Sequence, residues 1–443
     1  MKKYLALGLV ALLLVVNTAG CWNRREIETL GFVSLIGIDR SQGEEAYRVT
    51  FQIAKPAQLA PGGAGIGAGG AGGGAGEAPF AAWTMSISGK TVFDAVEKTR
   101  EFSPRRVFFS HTRAVIIGED LAREGIGPVL DFISREPELR RTIWVLVAKG
   151  SASEVLTARM HLERLPGEGI SSIMDQVQRA CTAPVVRFSD FLQCLISPTT
   201  QAIAPVIDFK SEWEREGRVG ADGGTGGTGS PGSGGQDSQP PVDVRVTGAA
   251  AFRGDRLAGW FSPHEARGIL WVQGKVRGGV LTTSFPAAGV QAGGGQSGDS
   301  AAGQNTITFR IIRARSQVKA ELEKGKPVIT VRVDEEGCIC EVTTSENVVT
   351  FDLIPRLEKL KARAIENEMR RAIDKAQRLG VDVFGFGEAV FRAFPREWEK
   401  GLKKDWPRLF PKLEVKLAVD AKIRRTGMQA VPVPSQIMKE KVR

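Results

Sequence analysis

Cys21 is the residue that most limits what this chain can become, because of what stands before it. Lys2 and Lys3 give a basic start, Leu5 to Val16 an apolar run, and Thr18-Ala19-Gly20 a small-residue exit. That order is the layout of a secretory signal over residues 1–20. The apolar run is short for a bilayer span, which takes roughly 20 residues. The chain after it is therefore expected to fold outside the cytoplasm, with Cys21 as its first residue once the signal is removed.

Small residues directly before a cysteine resemble a bacterial lipobox, with Thr18 standing where such boxes usually carry Leu. In these boxes the thiol receives a diacylglyceryl group, the chain is cut just before the cysteine, and the new N-terminus is acylated. The chemistry needs a thiol nucleophile in an extended, small-residue segment that an enzyme can reach. Each buried lipid methylene contributes about 0.8 kcal/mol, and a single chain binds only marginally. An S-diacylglyceryl group on Cys21 together with an N-acyl chain would hold the protein firmly, its bulk remaining in water.

The 443 residues suffice for two or three domains, and a hydrophobic content of 42% supports folded cores. Net charge is +10, with lysines and arginines interleaved with acids, as in Glu358-Lys359 and Arg396-Glu397. A diffuse basic excess suits a surface near anionic headgroups. Without a basic stripe interleaved with aromatic stacking partners it does not point to nucleic acid. Five cysteines, one of them Cys21, are too few for a disulfide scaffold in a chain of this length. Cys338 and Cys340, two apart on a strand, share one face. With no histidine at metal-site spacing, small apolar packing accounts for most thiols better than zinc does.

Three tracts cannot bury a core and read as flexible: 61–76, nearly all Gly and Ala, then 216–241 and 287–303. The expected units are an N-terminal α+β domain over 21–199 that contains the first tract, a middle domain over 200–303 that contains the other two, and a C-terminal α+β domain over 304–443. In each, a mainly antiparallel sheet packs against helices. Strands are expected at Leu30 to Asp39, Tyr47 to Ile53, Ala82 to Ser88, Arg141 to Ala148 and Val242 to Phe252, and long ones at Thr306 to Leu322 and Pro327 to Val342. The clearest helix is 352–379. Its apolar stripe runs through Leu353, Leu357, Leu360, Ala364, Ile365, Met369, Ile373 and Ala376, and Gly380 ends it.

The motifs that could carry catalysis fail on context. Gly65 to Gly70 matches a dinucleotide fingerprint in form but opens no apolar helix. Ser88-Gly89-Lys90-Thr91 lacks the first glycine of a phosphate loop, since position 84 is Thr84, and reads as a turn with Thr91 capping a helix. None of His111, His161 and His264 has a nearby Ser or Cys in a recognisable nucleophile context, and His111 reads as structural. Glu335-Glu336 reads as a solvated turn. The cluster Arg135, Glu136, Glu138, Arg140 and Arg141 reads as a structural ion-pair network, with a docking surface as its alternative. No catalytic, cofactor or metal residue is assigned.

Several stretches together resemble one family. Gly20-Cys21-Trp22-Asn23-Arg24-Arg25-Glu26-Ile27 is similar to the mature start of the spore germination lipoproteins of the Ger(x)C type, the C subunits of nutrient germinant receptors. Ser88 to Ala95, Phe109-Ser110-His111, Ile116 to Ala122, Gly259-Trp260, Arg267 to Trp271, Asp382 to Glu388, Trp398 and Trp406 follow in the family's order. The resemblance implies a non-enzymatic subunit of three α+β domains. It would be lipid-anchored through Cys21 on the outer face of the spore inner membrane and would work with A-type and B-type integral-membrane subunits. A solute-binding lipoprotein feeding a transporter is the alternative reading, and an extracellular hydrolase a third. The solute-binding reading predicts two similar lobes, and no lobe repeat is visible in the sequence.

Overall fold

Leu30–Arg40 (β1) is buried along almost all of its length, as a strand covered on both faces must be. Alternate side chains enter different cores: Val33, Ile36 and Ile38 pack on one side and Leu35 on the other. The structure, a computed structural model, describes residues 26–55, 81–158, 165–209, 244–285, 306–343 and 352–426, with 3, 4 and 163. The signal segment apart from residues 3 and 4, Cys21, His161 and the three Gly-rich tracts lie outside the described residues.

Around β1 the chain adds Tyr47–Ala54 (β2) and Ala82–Gly89 (β3), then helix Val92–Phe102 (α1), Arg106–Phe108 (β4) and Ala114–Ile117 (β5). Helices Glu119–Glu124 (α2) and Gly127–Arg135 (α3) lead to Trp144–Ala148 (β6). Ala152–Thr157 (α4), Pro166–Ala180 (α5) and Phe188–Ile196 (α6) precede Ile203–Phe209 (β7), Val244–Arg253 (β8) and Arg256–Phe261 (β9). These nine strands form one sheet in the order β3-β2-β1-β5-β6-β7-β8-β9, with β4 beside the start of β1. Its centre, β1-β5-β6-β7, is parallel and its flanks are antiparallel. The boundary expected at 199/200 falls between α6 and β7, and β7 to β9 continue the same sheet.

The second sheet is built from Val280–Ser284 (β10), Thr306–Glu323 (β11), Lys326–Val342 (β12) and Glu414–Arg425 (β13), in that order. The two long strands expected from the sequence pair with each other antiparallel, while β13 runs parallel to β12. Helices Pro263–Val272 (α7), Ile354–Leu379 (α8) and Phe386–Ala393 (α9) and a helical run over 395–412 share the core of this sheet. The α+β class expected from the sequence is the class observed.

Helix α8 buries the expected Leu357, Ile365, Met369, Ile373 and Ala376, and with them Lys361 and Glu368. Gly380 closes it in the left-handed conformation. Lys361 lies under the sheet, its Nζ 2.6 Å from Oε2 of Glu335 on β12, and both side chains are fully buried. Glu335 and Glu336 are therefore not the solvated turn expected from their sequence. They sit inside β12, Glu335 pointing inward and Glu336 outward to Arg313 and Arg424. Gly337 leaves the space this needs, since a Cβ there would strike Lys361 Nζ and the carbonyl of Arg310.

Removing one member of a buried pair strands the other away from water. Lys361→Met is expected to destabilise the fold by about 3–5 kcal/mol, and the double change Lys361→Met/Glu335→Leu to recover most of that in urea unfolding. Burial lifts the Glu335 carboxyl to about 7 from 4.5, against the pull of Lys361. A carboxyl that holds its proton more tightly when folded contributes fully below the unfolded value and loses that contribution as pH rises through about 7. Glu335→Gln should flatten the stability–pH curve over this window, and an unchanged slope would refute the assignment.

Candidate functional site

Where α8 ends, the chain turns through Val381-Asp382-Val383-Phe384-Gly385 into α9. Asp382 is almost fully buried. Its Oδ1 accepts the backbone N–H groups of Phe384, Gly385 and Phe386 at 3.0–3.2 Å. Its Oδ2 accepts Gly387 N–H at 2.7 Å and the Trp406 indole N–H at 3.2 Å. An aspartate just ahead of a glycine-containing bend is a turn-forming residue, and here the bend wraps around the carboxylate. Burial pushes this carboxyl up to about 6, and the backbone donors pull against it.

The same turn ties distant parts of the chain together. Gln201, just before β7, exchanges two hydrogen bonds with the backbone of Asp382, at 2.6 and 2.9 Å. Gln273, after α7, donates to Val383 O at 2.7 Å. Thr199 donates to Glu388 at 2.9 Å. Trp406 stacks at an angle on Trp398, ring centroids 5.4 Å apart. The loop is thus the joint at which the first sheet, α7 and the C-terminal aromatic run meet.

A second buried polar cluster fastens α7 to α8. Arg267 Nε donates to Glu368 Oε2 at 2.8 Å, Arg267 Nη2 bonds Oε1, and Trp271 Nε1 donates to Oε2 at 3.1 Å. His264 Nδ1 lies 3.2 Å from Glu368 Oε1. The helices can come this close because Gly268 faces the backbone: a Cβ there would strike the carbonyl of Glu368. His264 thus belongs to an ion-pair cluster, and His111 stacks edge-on against Phe32 at 5.1 Å. Neither meets a nucleophile. Among the described residues no three metal-ligating side chains gather, and no helix is long and apolar enough to cross a membrane.

Beside the Asp382 turn lies a cavity of about 490 Å³ walled by Gln201, Arg253, Gln377, Arg378, Lys403 and Trp406. Its volume suits a small molecule. Several of its polar groups are already engaged: Arg253 with Leu379 O, and Gln377 with Phe410 O and Leu413 O. This joint holds segments in place.

The residues singled out in the sequence divide clearly. Thr91 caps α1 by accepting Asp94 N–H at 3.0 Å, as its position suggested. Of the charged cluster over 135–141, Glu138 pairs with Arg106 and Arg135 with Asp131, so these two ion pairs reach outside the cluster and are not the network expected among its own members. Cys338 and Cys340 do share a face, their sulfurs 4.0 Å apart. That face is the solvent side of β12, so the packing role expected for most thiols belongs to the buried Cys181 and not to this pair. Sequence reasoning missed Asp382, Glu368, Glu335 and Lys361 as joints. The available signals were the aspartate–glycine bend and charges at core positions of an apolar stripe.

Asp382→Asn replaces one acceptor oxygen with a donor that faces Gly387 N–H or the Trp406 indole. It should cost about 2–3 kcal/mol and shift the tryptophan emission to the red. An unaltered spectrum and unfolding midpoint would remove the joint from this account.

Comparison with known proteins places the chain. Residues 23–209 match the family described as "Spore germination protein N-terminal domain", and residues 247–427 match "Spore germination B3/GerAC like, C-terminal". Spore germination protein KC of Bacillus subtilis (strain 168) is 27% identical over 98% of this chain and 99% of its own length. Spore germination protein B3 of the same organism is 24% identical over 94% and 97%. A crystal structure of the GerBC protein covers 88% of this chain and 96% of its own, at 19% identity and a TM-score of 0.49. Matched in both halves, and along its length by relatives of the same description, the chain belongs to the Ger(x)C family of spore germination proteins.

Proposed function

We propose that this protein is the lipid-anchored C subunit of a nutrient germinant receptor. In this reading it acts without catalysis, on the outer face of the spore inner membrane, with A-type and B-type integral-membrane subunits as partners. Family membership along both halves of the chain is the observation that carries it. The Cys21 segment supplies the means of attachment: a basic start, an apolar run, and small residues before a thiol. The folded body supports a scaffold role, because its buried polar groups are spent on holding segments together.

In the mature protein a diacylglyceryl group and an N-acyl chain on Cys21 would set three chains in the bilayer, well beyond the marginal binding of one. Cys21→Ala is expected to remove both lipid groups, so that a high-salt wash releases the protein from spore membranes that keep the unaltered one, and to abolish the nutrient response, while germination by agents that bypass the receptor continues. Mass spectrometry of the N-terminal peptide provides the direct check. A variant that stays membrane-bound and fully active would overturn the anchor.

A further inference from the structure

Helix α8 buries one side and leaves another to water, and the exposed side is rich in cations. Arg356, Lys359, Arg363, Arg371 and Arg378 are all exposed. At 3.6 residues per turn they fall within an arc of about 120° and, from Arg356 to Arg378, along about 33 Å. Asp374 is the one exposed acid within that arc, and half-buried Glu366 lies at its margin. Arg370, also in the arc, is half-buried and donates to Val415 O at 3.1 Å. Among the described residues, none of the five exposed cations forms a salt bridge. On three other helices an arginine is paired within one turn: Arg123 with Glu119, Arg135 with Asp131 and Arg392 with Glu388. Past the end of the helix the basic line continues, since Arg378 shares its cavity wall with Lys403.

We infer that this ridge rests on the anionic phospholipid headgroups of the bilayer to which the chain is anchored. The inference builds on the anchored reading given above, which would hold the body at such a surface. The ridge is straight and carries five exposed cations to one exposed acid, and a layer of anionic headgroups is the extended negative surface that complements it. A folded protein partner would call for apolar anchors inside the contact. None of the large exposed apolar side chains among the described residues lies on α8. Fluid headgroups ask for charge without shape, and charge without shape is what the ridge offers.

The test uses the full chain carrying Cys21→Ala, which has no lipid of its own, sedimented with vesicles of phosphatidylcholine alone or with a quarter phosphatidylglycerol. The apolar signal segment adds the same background to every sample, and the neutral vesicles measure it. The unaltered ridge should prefer the anionic vesicles, and the preference should fade in high salt. The fourfold change Arg356→Gln, Lys359→Gln, Arg363→Gln and Arg371→Gln should weaken anionic binding by at least about tenfold, with the circular dichroism spectrum kept. Exchanging the same three arginines for lysine should preserve binding. Equal binding to both vesicle types, or equal binding by the fourfold variant, would overturn the inference. So would capture of the chain by polyglutamate beads without vesicle binding, which would assign the ridge to an acidic polypeptide. Because no lipid is attached in this experiment, its failure leaves the Cys21 anchor standing, and release of Cys21→Ala from spore membranes tests that anchor separately.

Discussion

Helix α8 is held in place by charges that never meet water. Glu368 takes Arg267 and the Trp271 indole on the side facing α7, and Lys361 takes Glu335 on the side facing β12. Apolar packing alone tolerates sliding and rotation, since one methyl group substitutes for another at small cost. A buried ion pair does not: a shift of a single residue would leave a bare charge in a medium that solvates it poorly. Two such pairs, seven residues apart on the buried side of one helix, set both its rotation and its height. Nearly everything C-terminal to it, from the Asp382 turn to β13, is placed relative to α8.

The Asp382 turn extends that fixed frame to the first sheet. One carboxylate collects four backbone N–H groups and an indole, donors that would otherwise be unpaired at a buried helix start. The turn then hands its own backbone groups to Gln201 and Gln273. The strand that follows Gln201, β7, lies next to β6 in the parallel centre of the nine-stranded sheet. A rigid path therefore runs from the long helix into the middle of the N-terminal half. The contacts along it are hydrogen bonds with defined partners, and such contacts have few alternative arrangements.

Local pattern carried most of the secondary structure. The alternation over 306–323 and 326–342 is visible in the residues, and so is the 3.6-residue stripe of α8, because each depends only on neighbours in the chain. Pairing does not depend on neighbours. Nothing in Ile203–Phe209 announces that it joins β6 in parallel and β8 antiparallel across a long insertion, and so the sheet runs past the boundary at 199/200 that the alternation of strands and helices suggested. Glu335-Glu336 shows the same limit at the scale of a residue. Two adjacent acids look like a turn until Lys361 is known to wait beneath one of them and Arg313 and Arg424 above the other. The Asp382 turn was half legible: its aspartate–glycine bend was readable, while its role as a joint required Trp406 and Gln201, remote in sequence.

The buried and exposed sides of α8 carry the same residue types for opposite reasons. Lys361 and Glu368 are charges whose partners are supplied inside, so they specify position at the expense of desolvation. Arg356, Arg363 and Arg371 are charges with solvent on their outer side, and clustering five cations on one arc works against the helix through mutual repulsion. Several other arginines of this surface are offset by a carboxylate one turn away or on the neighbouring strand, as Arg123 is by Glu119, Arg313 by Glu336 and Arg392 by Glu388. A helix whose inner side is fixed by two ion pairs can carry such a repulsive outer side without shifting, because its position no longer depends on the surface charges. The precise seating of α8 and the freedom of its outer side to face something negative are in this sense one design.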